Sequence, residues 1–227
     1  MPSTGTERRA ASIVLVNPNT NEATTAMMAD LGRASLAEHP AATVHGVTVR
    51  RGPAMIIDPA ALADSAQAVI ERIAALDAAA VDAVVVSAIG DPGRDELEVR
   101  LPVPVVGIGQ AAILEAAADG RKFAMATTTH ELAGSLSALV EHYGCSATFH
   151  GVFLTRSAPL ELAADPDEQE AQLREATEAA VAAGAEAVII AGGPLSETAR
   201  RLRETSSAVI IEPIPAAIAR VQRLLAR

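Results

Sequence analysis

Ile13-Val-Leu-Val-Asn-Pro-Asn-Thr20 sets four apolar residues against four turn formers. A short apolar run that breaks off into Asn, Pro and Thr reads as a buried strand running out into a loop, and Glu22–Leu36 behind it repeats its apolar residues at helical spacing. The same pattern returns as Phe123-Ala-Met-Ala-Thr-Thr-Thr-His130, an offset of 110 residues (123 against 13). Val81-Asp-Ala-Val-Val-Val-Ser-Ala-Ile-Gly90 matches Ala185-Glu-Ala-Val-Ile-Ile-Ala-Gly-Gly-Pro194 at an offset of 104 (185 against 81). Gln110-Ala-Ala-Ile113 matches Pro215-Ala-Ala-Ile218 at 105 (215 against 110). Three segments in the same order at a nearly constant offset imply two similar lobes. A pseudo-twofold relation between them would turn equivalent loops towards each other across a cleft that holds a small ligand.

The rest of the chain fits this frame. Strands are expected at Ile13–Val16, Thr43–Val49, Ala83–Ser87, Val103–Ile108, Phe123–Ala126, Ala147–Leu154, Ala187–Ala191 and Ala208–Ile211. Between them, Glu22–Leu36, Pro59–Ala78, Gln110–Ala118, Glu131–Tyr143, Asp167–Ala183, Ser196–Arg203 and Pro215–Leu225 are expected as helices. The class is α/β, with a mostly parallel sheet in each lobe. Residues 1–11 are expected to form a disordered tail, 12–109 lobe 1 and 110–212 lobe 2, with the helix of 213–227 packing back on lobe 1. Open α/β sheets bind ligands beyond the carboxyl ends of their strands. The loops there are Asn17–Thr20, Gly90–Gly93, Thr127–Thr129, Gly192–Pro194 and Glu212–Pro213. Each alone could be no more than a cap or a turn.

Composition narrows the function. Half of the 227 residues are hydrophobic but only three Phe, one Tyr and no Trp occur, so the ligand is expected to be small and aliphatic rather than stacked on aromatic rings. A net charge of −10 with a single lysine, Lys122, argues against nucleic acid as a partner. No apolar run approaches the roughly 18 residues of a membrane span, and none near the start is long enough for a signal segment. The one cysteine, Cys145, allows neither an intramolecular disulfide nor a multi-thiolate metal site, so a cytoplasmic location is expected. His39, His45, His130, His142 and His150 show no ligand spacing, and no metal is expected.

Ile13–Thr20, Gly52-Pro53, Ile89-Gly-Asp-Pro-Gly93, Thr127–Thr129 and the closing Ile210-Ile-Glu-Pro-Ile-Pro-Ala-Ala217 together resemble the aspartate/glutamate/hydantoin racemase superfamily, in its hydantoin and allantoin racemase branch. The resemblance runs from about Ile13 to the C-terminus. It implies two Rossmann-like lobes with the site between them, no cofactor and a homo-oligomer. It also implies two thiols, one per lobe, on opposite faces of the substrate, one removing and one returning a proton. Their places are occupied here by Ala88 and Gly192. Cys145, at the end of an expected helix, is away from both.

Other groups must then carry any chemistry. Asp91 and Glu212 are the acid–base candidates, as carboxylates in loops expected to face the cleft. Ser87 and Ser196 are the candidate hydroxyls. Asn17, Asn19, Thr20, Ala88, Ile89, Gly90, Thr127, Thr128, Gly192 and Gly193 are the candidate binding residues, offering neutral groups suited to the N–H and C=O edges of a hydantoin-like ring or to a carboxylate. Gly90 and Gly93 would let the backbone approach a ligand. The leading expectation is a cofactor-independent hydrolase or lyase on such a ring, for example one acting like a thiohydantoin desulfhydrase. The alternatives are a hydantoin or amino-acid racemase with substitute bases, and a catalytically silent binding protein.

Overall fold

The computed structural model describes residues 9–36, 42–77 and 80–227. His39 and residues 1–8 of the expected tail lie outside the described residues, as does Ala78. Two four-stranded parallel sheets form the frame. The first holds β1 (Ala11–Asn17), β2 (Ala42–Thr48), β3 (Ala83–Val86) and β4 (Val105–Gly107) in the order β2-β1-β3-β4. The second holds β5 (Phe123–Thr127), β6 (Phe149–Leu154), β7 (Ala187–Ile190) and β8 (Val209–Ile211) in the equivalent order β6-β5-β7-β8. The repeat extends to register: Ile13 pairs with Ala83 in one sheet and Phe123 with Ala187 in the other.

The helices are α1 (Glu22–Ser35), α2 (Pro59–Ala74), α3 (Arg94–Arg100), α4 (Ile108–Ala116), α5 (Ala133–His142), α6 (Pro159–Ala163), α7 (Pro166–Ala182), α8 (Ser196–Arg203) and α9 (Pro213–Leu225). Local chemistry fixes their starts. Asn21 caps α1 by accepting from Thr24 N at 3.1 Å, and Asp58, followed by Pro59, caps α2 from Ala61 N at 2.8 Å.

Strand residues buried on both faces divide by parity. Ile13, Leu15, Ala83, Val85 and Val106 face one core, and Val14, Val16, Val84, Val86 and Val105 face another beneath α2 and α3. In the second sheet, Phe123, Met125, Ala187, Ile189 and Ile211 join the first of these cores. Their neighbours Ala124, Ala126, Val188, Ile190 and Ile210 pack separately beneath α7 and α8. The inner faces of both sheets therefore share one core, threaded by α4 and α9. A fully buried side chain such as Leu15 contributes about 1.5–3 kcal/mol there.

Differences from expectation have local causes. The strand expected to end at Ile108 stops at Gly107, and α4 begins at Ile108, because the Asp91 carboxylate accepts from the N–H of Gly109 (2.8 Å) and Gln110 (2.6 Å) and caps the helix from a distant loop. The strand expected from Ala147 begins at Phe149, because Ser146–Thr148 turn into a 3-10 helix first. Two short helices carry too little apolar periodicity to be read in sequence. In α3 only Arg94 and Leu97 are buried, and in α6 only Leu162.

Candidate active site

A cavity of about 90 Å³ lies between the carboxyl ends of the two sheets. Its walls come from the loops after β1 (Asn19), β3 (Ser87, Ala88, Ile89, Gly90), β5 (Thr128, Thr129) and β7 (Ala191, Gly192, Gly193). In each sheet the chain goes from the first strand to one neighbour (β1 to β2, β5 to β6) and then crosses to the first strand's other side (β3, β7), so the cavity sits at the switch point where open α/β sheets bind ligands. Met28, Met55, Ile56, Leu62 and Leu132 close the apolar sides. Their part was not legible from sequence, where each reads as ordinary core.

Eight of the expected residues line the cavity: Asn19, Ser87, Ala88, Ile89, Gly90, Thr128, Gly192 and Gly193. The others hold these in place. Asn17 Nδ2 donates to Asn19 Oδ1 (2.9 Å), Asn21 O (3.1 Å) and Thr25 Oγ1 (3.0 Å), while its Oδ1 accepts from Asn19 N, so Asn17 shapes the loop without reaching the cavity. Thr20 donates to Pro53 O through both N–H (3.0 Å) and hydroxyl (3.3 Å), tying down the segment that carries Met55 and Ile56. Thr127 Oγ1 donates to Ala191 O (2.8 Å), and on the other lobe Ser87 Oγ donates to Val16 O (2.8 Å). Each bond stitches the ends of neighbouring central strands.

The expected acid–base groups are placed elsewhere. Asp91, in the left-handed region at φ 49°, turns its carboxylate away from the cavity and under α4. There it also accepts from Tyr143 Oη at 2.9 Å, a bond from the end of α5 on the second sheet's side. Burial pushes Asp91 up to about 7 despite the donors Gly109, Tyr143 and Gln110. The same burial, with the Asp91 charge beside it, holds the Tyr143 phenol protonated far above its usual range. Tyr143 was missed in sequence because nothing local marks a partner 52 positions away.

Glu212 sits at the N-cap of α9 and pairs with Arg203 at 3.0 Å. Burial pushes its pKa up, opposed by Arg203 and Arg200. Ser196 donates to Gly193 O at 2.7 Å from the start of α8. Neither lines the cavity: the Ser196 hydroxyl is spent at the start of α8, and the Glu212 carboxylate on Arg203 at its end. Gly93, at φ 75°, is needed for the turn into α3 rather than for a ligand. Gly193 has the closer requirement: a Cβ there would meet Met28 Sδ at 2.6 Å and Ser87 O at 3.0 Å, so its absence lets the two lobes' loops touch.

Among the described residues, then, no acid, base or thiol side chain lines the cavity. Its unspent groups are neutral. Asn19 Nδ2 and the Thr128 hydroxyl make no hydrogen bond among the described residues, nor do the peptide N–H groups of Ala88, Ile89, Gly90 and Gly193. No group of three or more His, Cys, Asp or Glu among the described residues could hold a metal ion. No helix among them is long and apolar enough to cross a membrane.

Residues 13–221 match the family described as Asp/Glu/hydantoin racemase. The chain belongs to that family. A hydantoin racemase of Rhizobium meliloti is 30% identical over 94% of this chain and 88% of its own length. Among solved structures, the allantoin racemases of Pseudomonas fluorescens and Klebsiella pneumoniae superpose on this racemase-family chain with TM-scores of 0.88 and 0.87. They are 26% and 27% identical, over 95% of this chain and 91% and 88% of theirs. Arylmalonate decarboxylase, at 17% identity and a TM-score of 0.61 over 94% of this chain and 92% of its own, shares the fold.

Proposed function

We propose that this racemase-family chain takes a five-membered hydantoin-type ring between its sheets. We further propose that it exchanges the hydrogen on the ring carbon next to a carbonyl, an isomerase reaction run without side-chain thiols. The observation that carries the reading is the set of unpaired peptide N–H groups at Ala88, Ile89 and Gly90, beside unspent Asn19 and Thr128, in a cavity of ring size. At roughly 10–15 Å³ for each water held, about 90 Å³ takes on the order of six waters, close to the seven heavy atoms of the bare ring.

Asn19 Nδ2 and the Thr128 hydroxyl suit the ring's C=O and N–H edges. A water takes the proton from the ring carbon, and the C–H electron pair moves into the carbonyl. The resulting enolate oxygen accepts from the peptide N–H groups. A second water returns a proton to the opposite face, and the hydroxide it leaves is neutralised by the hydronium formed in the first step, which completes the inversion. The names of the relatives favour this reading over hydrolysis or elimination. The geometry does as well, since Asp91, Glu212 and Ser196 lie outside the cavity and the Ser87 proton is held by Val16 O.

A second reading, a binding protein without turnover, is favoured by the absence of any acid–base side chain in the described lining. Cytoplasmic location and homo-oligomeric assembly belong to the same reading of the chain. Proton NMR in D₂O with 5-substituted hydantoins tests all three. Deuterium entering an intact ring supports the isomerase, loss of ring signals supports hydrolase or lyase chemistry, binding without change supports the silent binder, and no binding overturns the proposal.

A further inference from the structure

On the first lobe, beside the edge strand β2, two arginines stand between two surface hollows. Arg50, just past the end of β2, and Arg72, on α2, each line both. The smaller hollow, of about 170 Å³, is shared with Arg51 and Glu71. The larger, of about 450 Å³, is shared with Thr20, Glu22 and the last residues of β2. At roughly 10–15 Å³ for each water held, even the smaller takes on the order of ten waters, ample for a tetrahedral oxyanion.

The neighbouring ion pair is closed and leaves these two cations over. Arg51 donates to both oxygens of Glu71, from Nε at 2.9 Å and from Nη2 at 2.8 Å, and Gln67 donates to the same carboxylate at 3.2 Å. Arg72 Nε donates to Thr48 O at 2.9 Å, which orients the guanidinium and leaves its two terminal nitrogens without a partner among the described residues. The Arg50 side chain makes neither a hydrogen bond nor an ion pair among them. Acids to pair with are plentiful in a chain of net charge −10. Yet the smaller hollow sets three arginines against one glutamate, a local charge of +2. Like charges at one place repel, and an anion held between them turns that repulsion into attraction. Planar guanidinium forks match the oxygens of a phosphate. Glu22, on the wall of the larger hollow, opposes such an anion and tempers its affinity.

We infer that Arg50 and Arg72 form a binding site for a phosphate-type oxyanion. The two hollows share no residue with the ring-sized cavity, so the inference stands apart from the ring reading. The full chain is titrated at low salt and about pH 8, where phosphates are largely dianions, with inorganic phosphate and separately with glycerol phosphate, and amide NMR shifts are followed. Saturable shifts are expected at Thr48–Gly52 and around Arg72, with dissociation constants in the millimolar range. Tighter binding of glycerol phosphate identifies an organic phosphate whose body occupies the larger hollow, and equal affinities identify the free ion. Arg50→Gln, at an exposed position, should weaken binding about tenfold, the worth of one charge-assisted contact. Arg72→Lys keeps the charge but not the fork and should weaken it about threefold or more. Glu22→Gln should tighten it about twofold, and Lys122→Gln, on the second lobe, should leave it unchanged. Shifts centred on residues 88–90 of the cleft, shifts that never saturate, or Arg50→Gln binding as tightly as wild type each overturn the inference.

Discussion

Replacing Asp91 by Asn should reverse its effect on stability between acid and alkaline pH. The wild-type carboxyl is 7% exposed, and burial raises it from 3.8 to about 7 even though Gly109, Gln110 and Tyr143 donate to it. The native state thus holds this proton more tightly than the unfolded chain does. The stability it supplies is full below about pH 3.8, declines as pH rises, and is gone above about pH 7. At about 1.4 kcal/mol per pH unit between the two values, the loss amounts to roughly 4 kcal/mol, an upper bound for a site that can relax. In the acid form the carboxyl can donate to Tyr143 Oη while its lone pairs keep both peptide donors. The substituted side chain does not titrate, and its amide must turn an NH₂ towards one of the two peptide N–H groups, which costs about 1–3 kcal/mol. The variant is therefore expected to be less stable than wild type near pH 5 and equal or more stable near pH 8. Urea unfolding of both proteins across that range checks this, because titrations common to both cancel in the difference. A free-energy difference that stays constant from about pH 5 to pH 8 would refute the assignment of a buried, proton-holding Asp91.

Other consequences are as direct. Tyr143→Phe removes a donor from the charged form of Asp91, so the decline in stability should shift to higher pH, with about 1–2 kcal/mol lost near pH 8 in the same urea series. Gly107→Ala would set a Cβ 2.1 Å from Asp91 Cγ and should cost more than about 3 kcal/mol in thermal unfolding. Gly134→Ala, in open space on α5, should instead gain about 0.5–1 kcal/mol. Introducing thiols at both positions with Ala88→Cys and Gly192→Cys should accelerate inversion at the ring carbon by roughly a hundredfold, as positioned acid–base groups do, whereas either single variant should speed deuterium entry on its own face without a matching gain in inversion. Gly192 is extended at φ 169°, and only the Leu195 side chain, 3.0 Å from the new Cβ, needs to give way.

The fold was legible because both repeats write it in apolar runs. Ile13–Val16 and Phe123–Ala126 are buried on both faces, so each must be a central strand flanked by helices. Of the five strand-end loops that turn chemistry marked, four contribute residues to the cavity, and Glu212–Pro213 does not. What the loops do with their polar residues was not legible. Asn17, Thr20, Thr127 and Ser196 read as ligand groups because they are polar and lie where ligands bind, yet their bonds go to backbone atoms as far as 64 positions away. Asp91 was the sharpest case. One carboxylate in a glycine-rich loop looks the same in sequence whether it faces a cleft or caps a helix 18 positions on, and only Gly107 and Gly109, which leave room for it, hint at the second.

The division between anchoring and cavity-lining groups explains how the scaffold stands with Ala88 and Gly192 and no thiol in the described lining. Asn17, Ser87 and Thr127 fix the ends of the central strands through bonds to Thr25, Val16 and Ala191, and none of these bonds involves the side chains at 88 or 192. Gly193 brings the two lobes' loops into contact by having no side chain at all. The cleft that presents peptide N–H groups is therefore built by one set of residues and would be armed by another. Side chains at 88 and 192 take no part in the anchoring bonds, so a change there leaves the first set intact. On the proposed reading, such a site would bind a ring and polarise its carbonyl while the proton travels by solvent. On this argument turnover and affinity come apart, and a change at residue 88 or 192 should move the rate of proton exchange far more than the dissociation constant of the ring.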